Sequence, residues 1–389
     1  MNRFMEEALE LATRGIGCTS PNPAVGAVVV GTEATGKDEV VGRGFHTWAG
    51  VKHAEVLALE LAGERAQGST IYVTLEPCSH HGRTPPCVDA ILAAGVRKVV
   101  APMEDPNPLV AGRGFQRLRE AGVEVELDLS AAPRAVEINE AFVHFMRTGR
   151  TLVTLKAAMT LDGKIAAPDD DAGHVGHSPS HGLSQTPGEI PWITSATARE
   201  HVQSLRHSHD AILTGIGTVL SDNCRLTDRS GQSRSRPLLR IVLDSLLRLP
   251  PDSHMARGCD HDVLAVTTSA ASAERRKRLE SLGVRVEVME RKDGRVSLEG
   301  VVELLARERY LSLMVEAGSK MNWSVLESGI ADKIFFYYAP KILGGLHSLP
   351  VAGGVGRRRR NDAIRVRSVR LHSVATDEFA VEAWLEKSL

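Results

Sequence analysis

Residues 53–87 open with the sequence HAE and close with PCSHHGRTPPC. The imidazole of His53 and the thiols of Cys78 and Cys87 are three good zinc ligands, and three protein ligands leave the fourth tetrahedral position open. An open position is what a catalytic zinc needs, because it holds the water that the metal acidifies. Glu55 lies two positions after the histidine, close enough to move protons without being a ligand. The pattern predicts a catalytic zinc site.

The chain around these ligands predicts elements that bring them together. Residues 54–62 predict a helix that carries the histidine and the glutamate in its first turn. Residues 70–75 predict a strand, which Glu76-Pro77 stops. Residues 86–92 predict a second helix, with proline where a helix start tolerates it. Two helix N-termini then present ligands toward one point, where their dipoles favour thiolate over thiol.

The spacing of the cysteines departs from the best-known pattern. In zinc deaminases of nucleobases, one histidine and two cysteines hold the metal and a glutamate that is not a ligand carries protons. Their sequence pattern is His-x-Glu followed by Pro-Cys-x-x-Cys. Here the cysteines lie nine positions apart. Each element also has a plainer interpretation, since HAE at a helix start is usually solvated and two loop cysteines are often ordinary buried thiols. The combination of all three ligands favours zinc.

Further motifs accompany the zinc pattern and carry a family resemblance. They are PNPAVGAV at 21–28, HAEV at 53–56, TLEPCSHHGRTPPC at 74–87 and DPNP at 105–108. Together they resemble the bifunctional riboflavin-biosynthesis family, in which a pyrimidine deaminase is fused to a reductase. The cysteine loop of that family is long, which accounts for the spacing. The resemblance is dense over residues 1–165 and patchier over residues 190–345.

The pattern of elements and the resemblance together predict an α/β fold. Alternating helices and short apolar strands in the first part of the chain predict a three-layer domain with a buried sheet. The resemblance implies a cytidine-deaminase-like domain over residues 1–146 and a dihydrofolate-reductase-like domain over residues 151–389. It implies zinc-dependent hydrolytic deamination of a phosphoribosylated diaminopyrimidinone, with Glu55 as the proton carrier. Asn22 is a candidate for orienting the base, and Arg83 for contacting the phosphate.

The second part of the chain carries a weaker pattern of its own. Two strand ends open into small-residue loops before helices, at 215–218 and 317–320, and such loops let backbone N–H groups approach a phosphate. Gly215-x-Gly217 lacks the third glycine of the Rossmann fingerprint because Leu220 occupies that position. Pattern alone therefore indicates only a candidate site for a phosphorylated ligand.

The resemblance gives this part a sharper expectation. KAAMTLDGK at 156–164 resembles the opening of the reductase domain, which uses NADPH to deliver hydride to C1 of an opened phosphoribosylamine. The residues that would line the cofactor are Ala157, Trp192, Thr218, Asp222, Ser245 and Gly318. Those that would face the substrate are Arg206, Leu226, Arg229 and Glu316. Two arginines suit the substrate phosphate because guanidinium groups bind phosphate oxygens in pairs.

The reductase half also departs from the family pattern. Asn223 and Cys224 stand where the family usually has the second of two acids followed by proline. Ala317 replaces a usual glycine, Ile190 replaces a usual serine, and residues 168–189 form an insertion. The insertion has no hydrophobic period, so we interpret it as a surface segment and not as a metal site of His174, His177 and His181. A deaminase with an impaired reductase is the alternative. Residues 357–360 are four arginines. We interpret them as a solvated loop, and the alternative is that they lie near a phosphate of the cofactor.

Composition restricts the classes of partner. A chain of 389 residues suggests two or three domains. A net charge of −1 with 4% aromatic residues argues against a nucleic-acid partner, and so against a deaminase of nucleic-acid bases. The remaining cysteines, Cys18, Cys224 and Cys259, suit a reducing compartment. Without a signal peptide or membrane-spanning run we expect a cytoplasmic protein. We separately expect a homo-oligomer. The remaining alternative to an enzyme is a protein in which the zinc is purely structural, with His80 or His81 as its fourth ligand.

Overall fold

The computed structural model describes residues 1–32, 37–48, 51–81, 85–108, 110–168, 192–292 and 294–387. These residues form two compact units. Unit 1 comprises Met1–Arg150 with Ser233–Arg236, and unit 2 comprises Thr151–Gln232 with Pro237–Leu389. Among the helices in the described ranges, none combines the length and the apolar character needed to cross a membrane.

Unit 1 alternates helices and strands along the chain. Its helices are α1 (Arg3–Thr13), α2 (Ala54–Ala62), α3 (Cys87–Ala93), α4 (Arg113–Glu120), α5 (Ala132–Ile138) and α6 (Glu140–Thr148). Its strands are β1 (Gly26–Thr32), β2 (Asp38–Phe45), β3 (Thr70–Val73), β4 (Lys98–Ala101) and β5 (Glu124–Leu127). In the described part of the unit these strands form one sheet in the order β2-β1-β3-β4-β5, antiparallel at β2-β1-β3 and parallel from β3 to β5.

Two glycines of β2 bring helix α2, and with it the start of the zinc motif, close to the sheet. A Cβ atom added at Gly42 would lie 2.0 Å from the Ala58 carbonyl oxygen, and one at Gly44 would lie 2.3 Å from that of Ala54. Both distances are far inside van der Waals contact, so only glycine allows this approach. The close packing of α2 on β2 fixes the position of the helix N-terminus.

The end of unit 1 corrects one sequence-based expectation. The apolar period predicts a single closing helix over residues 131–145, whereas the structure has α5 and α6 with a break at Asn139 (φ −110°). The Asn139 side-chain amide is buried and pairs with the main chain of Ala24, with Oδ1 2.7 Å from its nitrogen and Nδ2 2.9 Å from its carbonyl oxygen. Asparagine competes for backbone groups in this way and ends helices.

Unit 2 is a larger α/β unit. Its helices are α7 (Ala196–His207), α8 (Ile216–Asp222), α9 (His254–Arg257), α10 (Ala273–Glu280), α11 (Leu298–Arg307) and α12 (Ser319–Glu327). Its strands are β6 (Leu152–Thr160), β7 (Lys164–Ala166), β8 (Ala211–Gly215), β9 (Leu239–Leu243), β10 (Val263–Thr268), β11 (Arg285–Met289), β12 (Arg291–Lys292), β13 (Arg295–Val296), β14 (Ser312–Glu316), β15 (Lys333–Ala339), β16 (Leu349–Pro350), β17 (Val366–Ala375) and β18 (Glu378–Leu385).

The main sheet of unit 2 places several loop ends along one edge. Within the described residues it has the order β11-β10-β9-β8-β14-β6-β15-β18-β17, parallel from β11 to β15 and antiparallel for the last two pairs. The inner parallel strands β8, β9, β10 and β14 are mostly apolar and buried on both faces, as parallel sheets require, whereas the edge strand β11 is partly exposed. Because the carboxyl ends of parallel strands share an edge, the loops after β8, β9 and β14 lie side by side, where open α/β sheets bind ligands.

Candidate active sites

The three predicted metal ligands converge at the ends of different elements of unit 1. His53 is the N-cap residue of α2, Cys87 is the first residue of α3, and Cys78 lies in the loop after β3. Nδ1 of His53 is 3.2 Å from Sγ of Cys87 and 3.6 Å from Sγ of Cys78. Tetrahedral zinc, with bonds of about 2.1 Å to nitrogen and 2.3 Å to sulfur, would separate such atoms by roughly 3.6 Å. The donor set therefore fits zinc.

The two cysteines are hydrogen-bonded to each other, and this shifts their pKa values in opposite directions. A hydrogen bond from the Cys87 thiol, with further ones from His53 and from the Cys87 main-chain N–H at 3.3 Å, lowers the pKa of Cys78 to about 4 despite burial. The pKa of Cys87 is raised, because its thiol donates to Cys78 and is buried. Both thiols are free of disulfide bonds. The positive charge of a bound metal would favour the thiolate form of both cysteines.

Glu55 is buried beside these ligands. It lies in the first turn of α2 and is 4% exposed. Burial, reinforced by the negative charge of Cys78, raises the pKa of Glu55 to about 6. A carboxyl group with a pKa near the working pH can both accept and return a proton, which is the property that acid–base catalysis requires.

Sequence reasoning missed one histidine at this site. The ring of His46 lies 5.2 Å from that of His53, and His46 is 3% exposed. Its Nδ1 is 3.2 Å from the Pro23 carbonyl oxygen, whereas its Nε2 is buried without a hydrogen-bond partner among the described residues. Burial and the positive charge of the neighbouring His53 lower the pKa of His46. Its only signal in the sequence is a histidine between β2 and α2.

The other two predicted residues of the deaminase site have different outcomes. Asn22 is half-buried in the loop before β1, where its main-chain N–H donates to the Thr19 carbonyl oxygen at 2.8 Å. Arg83 lies outside the described residues, and so do residues 169–191, which include most of the predicted insertion, its three histidines and Ile190.

In unit 2 the predicted substrate residues gather around a carboxylate. Glu316, at the end of β14, accepts a hydrogen bond from Nζ of Lys156 at 3.0 Å and from Nε and Nη2 of Arg206 at 3.2 and 2.9 Å. Burial opposes ionisation of this carboxyl group, but the charges of Lys156 and Arg206 outweigh it and hold the pKa of Glu316 at about 2. Lys156, on the neighbouring strand β6, pairs in register with Glu316 of β14. The sequence did not predict Lys156 as a residue of this site.

The fold brings the two predicted phosphate arginines together. Nη1 of Arg206 donates to the Thr227 carbonyl oxygen, and Nη1 of Arg229 donates to Oγ1 of the same threonine, each at 2.9 Å. Arg206 is buried and Arg229 is exposed. Burial and the nearby positive charge of Arg206 lower the pKa of Arg229. Leu226 is buried in the core with φ +51°, so its main chain, and not its side chain, is the part available to a ligand.

The predicted cofactor residues mostly follow neighbouring strands of the sheet. Ser245 follows β9, Thr218 and Asp222 lie in α8 after β8, and Gly318 is the N-cap of α12 after β14. A Cβ atom added at Gly318 would meet Oγ1 of Thr218 at 3.7 Å, so the two loops adjoin. Ala157 is buried within β6, and Trp192 is 56% exposed.

The cofactor edge also retains an unpaired buried hydroxyl. Oγ of Ser319, next to Gly318, has no hydrogen-bond partner among the described residues. A Cβ atom added at Gly217 would meet nothing within 4 Å, so this face of the first turn of α8 is open. A buried hydroxyl without a partner among the described residues, at the start of α12, fits a polar ligand such as a dinucleotide phosphate.

Comparisons with known proteins agree with this geometry. The cytidine and deoxycytidylate deaminase zinc-binding region matches residues 1–103, and the RibD C-terminal domain matches residues 151–378. Riboflavin biosynthesis protein RibD of Bacillus amyloliquefaciens is 38% identical over 374 residues, covering 96% of this chain and 94% of that protein. RibD of Escherichia coli K12 is 41% identical over 363 residues, covering 89% and 90%.

The chain belongs to the RibD family of riboflavin biosynthesis proteins.

Solved structures of family members share the whole fold. Form 1 of Acinetobacter baumannii RibD has a TM-score of 0.82 and 33% identity, covering 99% of this chain and 98% of that one. A Thermotoga maritima protein described as a diaminohydroxyphosphoribosylaminopyrimidine deaminase/5-amino-6-(5-phosphoribosylamino)uracil reductase has a TM-score of 0.76 and 31% identity, covering 99% and 98%.

Family membership settles several expectations. The predicted RibD relationship, the α/β fold class and the zinc-binding deaminase domain are confirmed. The protein is an enzyme of riboflavin biosynthesis that joins a deaminase domain to a reductase domain. The roles of individual residues stay predictions.

Proposed function

We propose that residues 1–146 hydrolytically deaminate 2,5-diamino-6-(5-phosphoribosylamino)pyrimidin-4(3H)-one and that residues 151–389 then reduce its ribosyl group to ribityl with NADPH. The observation that carries the proposal is the His53–Cys78–Cys87 cluster with buried Glu55, in the same chain as the RibD C-terminal domain. The Thermotoga maritima relative is described by both activities.

In the deaminase domain, His53, Cys78 and Cys87 would hold the metal. Bound zinc would supply Lewis acidity that makes water nucleophilic toward the amine-bearing carbon. Glu55 accepts a proton from the attacking water and returns protons to the departing amine, which leaves as ammonia while the carbon becomes a carbonyl. A pKa of about 6 keeps both protonation states of Glu55 accessible near neutral pH.

Three residues are proposed to orient the pyrimidine. Asn22 contacts the base, and Arg83 contacts its phosphate. We add His46, because its buried Nε2 has no partner among the described residues and its ring lies beside that of His53. A polar atom of the substrate would satisfy that nitrogen, which removes the free-energy cost of leaving it unpaired.

In the reductase domain, the bound nicotinamide cofactor would supply hydride to C1 of the opened sugar. Thr218, Ser245 and Gly318 are proposed to hold it, because they follow the neighbouring parallel strands β8, β9 and β14. Ala157, Trp192 and Asp222 complete the proposed cofactor set.

The proposed substrate set of the reductase domain is Arg206, Leu226, Arg229 and Glu316. Arg206 is already bonded to Glu316 and Thr227, so it holds the carboxylate in place as well as adding positive charge. Arg229 shares Thr227 with Arg206 but is exposed, so its guanidinium group is the more accessible of the two to a phosphate.

The wider setting is also a proposal. The net charge of −1 supports a small-molecule substrate over a nucleic acid. We propose a homo-oligomeric protein of the cytoplasm.

Incubation of purified protein with the diaminopyrimidinone substrate tests the proposal, with ammonia release and NADPH oxidation followed separately. Ammonia release should proceed without NADPH. NADPH oxidation should start at once on deaminated substrate but lag on the diamino compound. NADPH oxidation that precedes ammonia release would contradict the order of the two steps. If neither ammonia release nor NADPH oxidation occurs, the proposed substrate is wrong.

A further inference from the structure

Glu76 is a buried carboxylate that the proposed mechanism does not use. It lies between β3 and Cys78 and is 5% exposed. Its Oε2 accepts hydrogen bonds from the main-chain N–H groups of Asp105 and Gly112, both at 2.9 Å. Its Oε1 accepts from those of Gly114 at 2.7 Å and Phe115 at 3.3 Å. One side chain thus satisfies four main-chain donors.

Three of these donors belong to the start of helix α4. A helix leaves its first N–H groups without intrahelical partners, and its dipole favours a negative charge there. The N-cap residue, Gly112, has no side chain to serve as a cap. Glu76, 36 positions earlier in the chain, supplies the missing acceptor. The fourth donor, Asp105, opens the DPNP motif, so this motif is bound to the same carboxylate.

The same contacts fix the peptide that leads into the Cys78 ligand. A Cβ atom added at Gly114 would lie 2.1 Å from the Pro77 carbonyl oxygen, so the start of α4 packs directly on the Pro77–Cys78 peptide. On its other side, Cys78 accepts hydrogen bonds from the start of α3, through its carbonyl oxygen from Val88 and through Sγ from Cys87. Cys78 is therefore held between two helix N-termini.

We propose that Glu76 is a positioning residue that presets Cys78 for zinc by tying the loop after β3 to α4 and to the DPNP motif. The inference rests on the proposed zinc-dependent deamination. It requires a carboxylate, because each oxygen serves two N–H donors. A glutamine has one oxygen, and its amide nitrogen would face two donors instead of accepting from them.

Zinc affinity of the full-length Glu76→Gln protein tests the proposal, measured by competition with a chromophoric chelator. Residues that orient metal ligands typically change metal affinity by about 10–100-fold when substituted. We expect a loss in that range, ammonia release that recovers at excess zinc, and unchanged NADPH oxidation on deaminated substrate. Glu104→Gln is the matched control, since it removes a charge from an exposed acid next to Asp105, one of the four donors. Wild-type zinc affinity in Glu76→Gln would overturn the proposal.

A second measurement covers the case in which Glu76→Gln does not fold. Coupling between two sites is reciprocal, so zinc should also stabilise what Glu76 binds. In the wild-type protein, zinc should slow hydrogen–deuterium exchange of the amides of Asp105, Gly112, Gly114 and Phe115, and leave helix α7 unchanged. Absence of zinc-dependent protection at these amides would overturn the proposal. The zinc affinity and the amide exchange do not use the pyrimidine, so failure of the proposed substrate remains a separate result.

Discussion

Replacing Glu316 with glutamine should destabilise unit 2 in a pH-dependent way. The substitution leaves the charges of Lys156 and Arg206, whose side chains are each 8% exposed, without their counter-ion. Removing one partner of a buried ion pair typically costs about 3–5 kcal/mol. The pKa of Glu316, lowered from 4.5 to about 2, corresponds to roughly 3 kcal/mol of preference for the ionised form. The Glu316 side chain is 23% exposed, which favours the lower end, about 3 kcal/mol at pH 7.

The pH dependence has a definite sign. Because the pKa of Glu316 is lower in the folded protein, its stabilising contribution is present above pH 4.5 and is lost as the pH falls toward 2. The difference between wild type and Glu316→Gln should therefore be full at pH 7 and shrink as the pH falls below 4.5. A neutral glutamine does not titrate, so only the wild type changes through this carboxyl group.

Tryptophan fluorescence provides the assay. Three of the four tryptophans, Trp192, Trp323 and Trp384, lie in unit 2, so a Trp48→Phe background makes urea unfolding report that unit. Glu327→Gln, an exposed acid on α12, should change the free energy of unfolding by less than about 0.5 kcal/mol. A Glu316→Gln effect under about 1 kcal/mol at pH 7, or one independent of pH, would refute the reasoning.

Three further predictions concern the proposed sites. Glu55→Gln should keep zinc and lower ammonia release by about 10²–10⁴-fold, because it removes a proton carrier; full activity with normal zinc content would refute the role. Cys78→Ser or Cys87→Ser should lose zinc and destabilise unit 1, with Cys259→Ser as a silent control; stoichiometric zinc in either variant would show the wrong ligand set. Arg229→Ala should weaken use of the deaminated substrate about tenfold or more, and a loss of NADPH affinity instead would place the ligands differently.

The sequence predicted the elements that carry the proposed zinc ligands, because these ligands lie at element ends. The helix expected over residues 54–62 is α2, and the proline before Cys87 marks the start of α3. Capping and proline preferences act within a few residues, so a single sequence contains them. His46 has no such local signal. Its burial depends on packing between β2 and α2, which only the tertiary structure reveals.

The misses share a physical cause, which is long-range pairing. The break at Asn139 depends on Ala24, 115 positions away. Strand β17 carries mostly exposed residues, so it lacks the apolar alternation that marks a strand in the sequence. Its pairing with β18 defines it instead. Glu76 likewise looks like part of a zinc motif, and its four donors lie 29 to 39 positions later in the chain.

The structure also bears on the departures from the family pattern in the reductase domain. Asn223, where an acid is usual, is the C-cap of α8 with φ +43°, a left-handed conformation that asparagine tolerates. Its Oδ1 accepts from the main-chain N–H of His254 at 2.8 Å, which ties the end of α8 to α9. Helix α8 carries Thr218 and Asp222, so the replacement preserves the element that presents them. This accommodation favours a retained reductase over an impaired one. NADPH binding comparable in Asn223→Asp and wild type would support that conclusion, whereas a large gain in affinity from the substitution would contradict it.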